Sequence, residues 1–335
     1  MRMLLVVVLV SLAILAVVGY AAYGQVLDAL KPPDPEATEM VEFRVEPGDS
    51  TSDVGAGLSE KGLVRDGRVF SLYARYRGYD GKIQAGWYHL TAAMDPEEIL
   101  GHLVEGRVSE REFTVPEGLN VSQVVDRLVE QGFGAAEEFE DAVTDSNLVA
   151  EWLPEDYSGK YPVEGYLLPN TYRIPWDAEP VDIIRRMVLA FEEYMDEGRR
   201  ERADELDMSV HEVVTLASIV EREAAAAEER ETIAGVFHNR LRREMRLEAC
   251  ATVHYAIGRP DGELSDADLQ TESPYNTYRV DGLPPGPIAS PGIASLEAAL
   301  YPEDVPYLYF VAKDDGTHAF AETFAEHRDN IARYR

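Results

Sequence analysis

The side chains best placed to do chemistry concentrate at residues 209–223, SVHEVVTLASIVERE. Ser209 followed three positions later by Glu212 is the signature of a capping box, which predicts a helix starting at Val210. At about 100° per residue, Val210, Val213, Val214, Ala217 and Glu221 fall in one stripe, while Glu212 and Glu223 point away from it. Glu221 is therefore the one carboxyl carried onto the apolar face. Desolvation there favours the protonated form, so the group could give a proton to a leaving oxygen near neutral pH, the pattern of a glycosidase acid. The same placement suits a buried glutamate paired with an arginine, and Leu216 and Ile219 make the helix apolar on its other side as well. The helix alone leaves both readings open.

A second candidate carboxyl, Glu164, lies in residues 161–174, YPVEGYLLPNTYRI. Pro162 and Pro169 forbid a regular helix there and predict an ordered loop or edge strand. Its rings and amides suit a sugar groove, where Tyr166 and Tyr172 would stack and Asn170 would bond hydroxyls; a purely structural role for Glu164 fits equally. Residues 228–245 read as a helix with Ile233, Val236, Phe237 and Leu241 on one side. Asn239 and Arg240 at its edge would orient the acid, bind substrate, or serve as helix-surface groups. Residues 273–291, SPYNTYRVDGLPPGPIASP, hold too much Pro and Gly for regular structure and predict a long functional loop carrying Tyr275, Asn276 and Tyr278.

The elements around these candidates set the architecture. With 335 residues, 45% of them hydrophobic, and 19 prolines, the chain should form two or three globular units. Its 62 acidic against 31 basic residues give a net charge of −31, which argues against binding a nucleic-acid backbone. The acidity is spread along the chain and reads as a solvated surface. Cys250 is the single cysteine, so no intrachain disulfide or cysteine-based zinc site is possible, and seven histidines without an HExxH pair argue against a catalytic metal. No cofactor is expected.

Residues 3–22, MLLVVVLVSLAILAVVGYAA, carry no charge over roughly 20 positions, the length that crosses a bilayer as a helix. A cleaved signal peptide is the alternative, but its apolar region usually runs about 7–15 residues. Arg2 before the run and the acidic bulk after it place the amino terminus in the cytoplasm and the remainder outside. Residues 1–24 thus form a cytoplasmic tip and transmembrane anchor, and 25–42, with KPPDPEATE at 31–39, a semi-rigid linker.

An internal repeat follows: FRVEPGDSTSDVGAGLSEKGL from Phe43 and FTVPEGLNVSQVVDRLVEQGF from Phe113 align at an offset of 70. Each copy predicts a short strand, a glycine turn, a serine at a helix cap and an amphipathic helix stopped by glycine. Between them, helices are expected at 70–79 and 95–106 and a strand at 86–90. Trp87 and Tyr88 would make this a carbohydrate-binding module, or the unit is a packing module. Further helices are expected at 137–149 and 181–198, then a strand at 307–312, a turn at 314–316, a return strand at 318–320 and a terminal helix at 322–334. The fold class is α+β: an N-terminal transmembrane helix, small α/β modules, then a mixed α+β catalytic domain.

The sequence resembles the membrane-anchored endolytic murein transglycosylases, the YceG-like family. The likeness rests on EGYLLPNTY (164–172), LASIVEREA (216–224), VFHNRL (236–241), SPYNTYRVDGLPPGPIASPG (273–292) and YLYFVA (307–312), in that order. It implies a LysM-like module over 43–108, a catalytic domain over 109–335 that opens with the second β-α unit at 113–133, and Glu221 as the catalytic acid. Two positions depart from the family pattern. Asn170 stands where an aspartate is usual, and EACATV at 248–253 replaces QTDPTV, putting Cys250 in place of an aspartate.

By this resemblance the chain would cleave the β-1,4 bond between N-acetylmuramic acid and N-acetylglucosamine within a glycan strand. Glu221 would act first as acid toward the leaving glycosidic oxygen and then as base toward the muramyl C6 hydroxyl, leaving a 1,6-anhydro end. One essential carboxyl suffices for this chemistry, unlike the two of ordinary glycosidases. Glu164, Tyr166, Asn170, Asn276 and Tyr278 would hold the ring. Peptidoglycan strands are the implied substrate, the cytoplasmic membrane the implied site, and peptidoglycan synthases the implied partners. A hydrolase using Glu221 and Glu164, or a non-catalytic anchored scaffold, are the competing readings.

Overall fold

The computed structural model describes residues 2–106, 109–259 and 262–334. The first helix, α1, spans Arg2–Ala29. Among the described residues no helix is long and apolar enough to cross a membrane. The side chains of residues 2–10, 13 and 22, on which the anchor expectation largely rests, lie outside the described residues. The chain divides into two compact units, residues 1–112 with 173–178, and residues 113–172 with 179–335.

In the first unit the order after α1 is β1 (Val41–Val45), α2 (Thr51–Glu60), α3 (Gly67–Tyr76), β2 (Gly86–Leu90) and α4 (Pro96–Glu105). The period-two alternation of both strands buries Phe43 and Val45 with Tyr88 and Leu90, and the strands pair antiparallel with Phe43 opposite Tyr88. Tyr88 is fully buried, and its hydroxyl donates to the Gln84 carbonyl at 2.7 Å, so it belongs to the core and offers no face to a sugar. Helix α3 begins three residues earlier than its apolar pattern suggests because the Asp66 side chain caps the Arg68 and Val69 amides. Helices α2 and α3 meet at Gly55 and Gly67, where a Cβ on Gly67 would lie 2.1 Å from the Gly55 carbonyl. Asp95 caps α4, and Gly106 in the left-handed conformation ends it.

The second repeat copy folds into β3 (Glu110–Val115) and α5 (Val121–Glu130), a strand and a helix as expected, but the cap is Asn120, whose side chain accepts the Gln123 amide, and not the serine the repeat offered, which lies inside the helix. Then come α6 (Ala136–Thr144), β4 (Asn170–Pro175), which pairs with β3, α7 (Pro180–Tyr194), α8 (Glu197–Glu205) and α9 (Val210–Glu223). The expected single helix over 181–198 is two elements, because Asp196 turns its side chain onto the Arg199 amide at 3.0 Å and starts α8 anew. The chain continues through α10 (Arg230–Arg242), α11 (Cys250–Ala256), α12 (Asp266–Leu269) and α13 (Ile293–Leu300), and closes with β5 (Tyr309–Ala312), β6 (His318–Ala321) and α14 (Phe324–Tyr334).

Helix α9 is the centre of this unit. It packs against α8, α10, α11 and α13, and every residue from Val213 to Val220 is buried. Its apolar surface runs round the whole helix, as Leu216 and Ile219 foretold.

Candidate active site

The capping box fixes where α9 begins: the Ser209 amide donates to Glu212 Oε2 at 2.8 Å and the Glu212 amide to Ser209 Oγ at 3.2 Å. Near the other end of the helix, Glu221 reaches the start of α13. Its Oε2 accepts the Gly292 amide at 3.1 Å and the Ser295 hydroxyl at 2.7 Å. Gly292 is the N-cap of α13, so the carboxylate sits where that helix presents its positive end. Oε1 faces Nη2 of Arg230, at the start of α10, at 3.7 Å. The Glu221 side chain is 8% exposed and that of Arg230 17%. The Arg230 Nε is buried with no hydrogen-bond partner among the described residues. An arginine facing the buried glutamate is the partner that the paired-glutamate reading expects.

A second carboxyl stands beside the first. Glu117 occupies the turn between β3 and α5, and its Oε2 lies 3.9 Å from the same Arg230 Nη2. A Cβ on Gly292 would fall 2.0 Å from Glu117 Oε1, so only glycine there lets this carboxyl lie against the backbone that bonds Glu221. Partial burial and then the charge of Glu221 push Glu117 above the usual carboxylate range, with Arg230 pulling the other way. Gly118, at φ +78°, turns the chain so that its amide donates to the Ser290 carbonyl at 2.9 Å, and the Ser290 amide returns to Leu119 at 2.7 Å. Ser218, nearly one turn before Glu221, holds the same loop by accepting the Ile288 amide at 3.0 Å.

Glu164 lies deeper, 2% exposed. Its Oε1 accepts the Val121 amide at the start of α5 at 3.0 Å, and Oε2 meets the Tyr255 hydroxyl at 3.2 Å. Burial pushes its carboxyl up to about 8, against the opposing pull of the Val121 amide, the Tyr255 hydroxyl and the Gly165 amide. It lines a cavity of about 330 Å³ together with Asn120, Lys160, Tyr161, Arg222 and Tyr255. Gly118 also lines this cavity, and a Cβ on it would lie 3.8 Å from Glu221 Cγ, which puts the cavity wall against Glu221. A larger cavity, about 1130 Å³, opens at the opposite end of α9 over Ser209 and His211.

The remaining candidates occupy varied places. Tyr275 packs its ring 4.9 Å from that of Tyr255, beside Glu164, and burial pushes its hydroxyl up to about 12. Tyr166 is fully buried, with its hydroxyl on His211 Nδ1 at 2.8 Å, and Tyr172 is buried with its hydroxyl donating to the Leu168 carbonyl. Asn170 is exposed at the start of β4, and its Oδ1 accepts the Thr171 amide at 2.7 Å. Asn239 donates to the Val305 and Tyr307 carbonyls at 2.7 and 2.9 Å. Arg240 is buried and donates to the carbonyls of Leu308, Arg246 and Leu247. Asn276 is fully buried and ties Leu269 and Thr271 to its own loop. Tyr278 sets its hydroxyl 3.2 Å from Cys250 Sγ, and burial raises it well above the usual phenol range. Among the described residues no group of three or more His, Cys, Asp or Glu could hold a metal ion.

Sequence reasoning passed over Glu117, Arg230, Gly292 and Ser295. A signal existed for the first, because the repeat reads EPG in one copy and PEG in the other, so Glu117 falls where the copies disagree.

The YceG-like family matches residues 43–333. The endolytic murein transglycosylase of Bacillus subtilis (strain 168) is 33% identical over 330 residues, covering 94% of this chain and 90% of that protein. The protein of the same name from Streptococcus pneumoniae serotype 2 is 33% identical over 97% of this chain, which spans 64% of its length. In structure, a YceG-like protein of Listeria monocytogenes superposes with a TM-score of 0.60 at 35% identity, covering 87% of this chain and 99% of that one.

Proposed function

This chain belongs to the YceG-like family, and from that premise we propose that it is an endolytic murein transglycosylase, a lyase acting on the glycan of peptidoglycan. The observation that carries the reading is the pose of Glu221: two donors converge on Oε2, and Oε1 faces a guanidinium. A carboxyl whose one oxygen accepts two hydrogen bonds carries its proton on the other. Oε1 is therefore the atom that gives and takes the proton.

The reaction follows. Oε1 protonates the glycosidic oxygen as its bond to C1 of the muramyl residue breaks, and the Glu221 carboxylate is left stabilised by Gly292, Ser295 and Arg230. The C6 hydroxyl of the same sugar attacks C1 while Glu221 removes its proton. The products are a free 4-hydroxyl on N-acetylglucosamine and a 1,6-anhydromuramyl end, and Glu221 is again protonated. Because the nucleophile belongs to the substrate, holding the ring supplies much of the acceleration. The cavity walled by Asn120, Tyr161, Tyr255 and Arg222 is the place for the neighbouring sugars.

Residues 3–22 anchor the chain in the cytoplasmic membrane with its bulk on the outer side, supported by the uncharged run and Arg2 before it. The unit from residue 43 serves as a LysM-like positioning module near newly made strands, where peptidoglycan synthases are the partners.

The test is mass spectrometry of products released from purified peptidoglycan strands by the full chain and by Glu221→Gln. Products one water lighter than hydrolytic fragments, absent with the variant, are expected. Ordinary reducing ends would make the protein a hydrolase, and undiminished cleavage by the variant would remove Glu221 from the mechanism. No cleavage by either would favour a scaffold.

A further inference from the structure

The lyase chemistry asks for one carboxyl, yet the structure puts two around a single guanidinium. We propose that Glu117 is a positioning residue that acts through Arg230 and the Gly292 backbone to govern the proton that Glu221 gives and takes, so that the site works as a coupled pair of carboxyls. This rests on the reading of Glu221 as the acid.

The geometry is specific. Arg230 Nη2 lies 3.7 Å from Glu221 Oε1 and 3.9 Å from Glu117 Oε2, so the cation is shared between the oxygen that exchanges the proton and a neighbour that does not. Glu117 rests on Gly292, whose amide bonds the other oxygen of Glu221. The turn that carries Glu117 is fastened to the same loop by two backbone hydrogen bonds, at 2.9 and 2.7 Å. Glu117 thus touches the surroundings of both oxygens of the acid.

The charged groups facing Glu221 come from three elements. Glu117 comes from the β3–α5 turn and Arg230 from α10. Arg222, on α9 itself, reaches the Gly118 carbonyl at 3.4 Å. From α13 the facing group is the neutral Ser295 hydroxyl. The charge of Glu221 bears on Glu117, and the two carboxyls face one guanidinium from either side. In the second half of the reaction Glu221 must accept a proton from a sugar hydroxyl, and Glu117 sets its carboxylate against the same guanidinium that faces the accepting oxygen. Glu117 itself exchanges no proton: the one Glu221 loses leaves with the glycosidic oxygen, and the one it gains comes from C6.

Two measurements on the full chain test this. In the first, the pH profile of kcat/KM is followed for the wild type, Glu117→Gln, Glu117→Asp and Arg230→Gln. Removing the negative charge at 117 should move the alkaline limb down by about half a pH unit, a modest step because Glu117 is half exposed. Glu117→Asp should restore the limb, and Arg230→Gln should move it up. Variants slower at every pH with their limbs unmoved would reduce Glu117 to a prop for the loop and overturn the inference. In the second, carbon-13 in the glutamate carboxyls reports titration without catalysis. The Glu117 signal, identified by its loss in Glu117→Gln, should titrate above ordinary carboxylates and move to lower pH in Glu221→Gln. An unmoved midpoint would also overturn the inference. A wild type that releases no anhydro products defeats the functional reading instead, and the carbon-13 titration still decides the coupling.

Discussion

The Ser295 hydroxyl donates to Oε2 of Glu221 at 2.7 Å, linking the first turn of α13 to the last turn of α9. The bond joins two helices that pack along each other, so it holds the Glu221 carboxyl in one pose. A hydrogen bond to a charged group is worth roughly 1.5–3 kcal/mol. Ser295→Ala should therefore slow release of anhydro products by about tenfold or more. Ser295 is fully buried and alanine is smaller, so the fold should persist. Initial rates on purified strands beside a thermal melt check this; an unchanged rate in a normally folded variant would mean that the Gly292 amide alone poses the acid.

Gly165 makes a different kind of demand. It sits at φ +84°, and a Cβ there would lie 2.4 Å from Pro287 Cβ and 2.9 Å from Val214 Cγ1. Both the backbone conformation and the space forbid a side chain. Gly165→Ala should destabilise the second unit by about 2–4 kcal/mol, because the 161–174 segment, the proline loop and α9 would have to part. Urea denaturation measures it, and a loss below about 1 kcal/mol would show that the loop yields freely.

Glu164 predicts how stability follows pH. Burial pushes its folded-state carboxyl up to about 8 from the ordinary 4.5. Between these values the folded chain binds the extra proton, so stability falls as pH rises through that window, the reverse of the usual carboxylate. At about 1.4 kcal/mol per unit, the loss is on the order of 3–5 kcal/mol across the window. Glu164→Gln keeps the shape and both hydrogen bonds, with its amide donating to Tyr255, and removes the titration. Denaturant midpoints from pH 5 to pH 8.5 should fall for the wild type and flatten in the variant; Glu223, also raised chiefly by burial, leaves a residual slope. Parallel curves for the two proteins would refute the assignment.

What the sequence made legible was local. Ser209 and Glu212 placed the start of α9 at the right residue, and Asp95, Pro96 and Gly106 bracketed α4, because a cap is decided within four residues. The site is assembled from positions 117, 221, 230, 292 and 295, brought together by packing that no local pattern encodes. The helical wheel reached Glu221, but α9 is buried on all sides, so what distinguishes this carboxyl is its partners. Asn239 and Arg240, open to reading as substrate contacts or as helix-surface groups, were less legible. Polar groups at a helix edge read as ligand contacts, whereas here they satisfy carbonyls of the extended stretch leading into β5.

The capping box itself can be separated from catalysis. Ser209 and Glu212 exchange hydrogen bonds at one end of α9, and Glu221 lies near the other. Ser209→Ala leaves the Glu212 amide without its side-chain acceptor, which costs about 1 kcal/mol and should lower Tm by about 2–4 °C. Helix α9 is held along its length by burial from Val213 to Val220, so the loss should stay at its first turn. The rate of anhydro-product release at 25 °C should therefore match the wild type even as the melt shifts. A melting temperature that does not move would mean that packing alone sets where the helix begins. A rate that falls with it would mean that the pose of Glu221 depends on the whole length of α9.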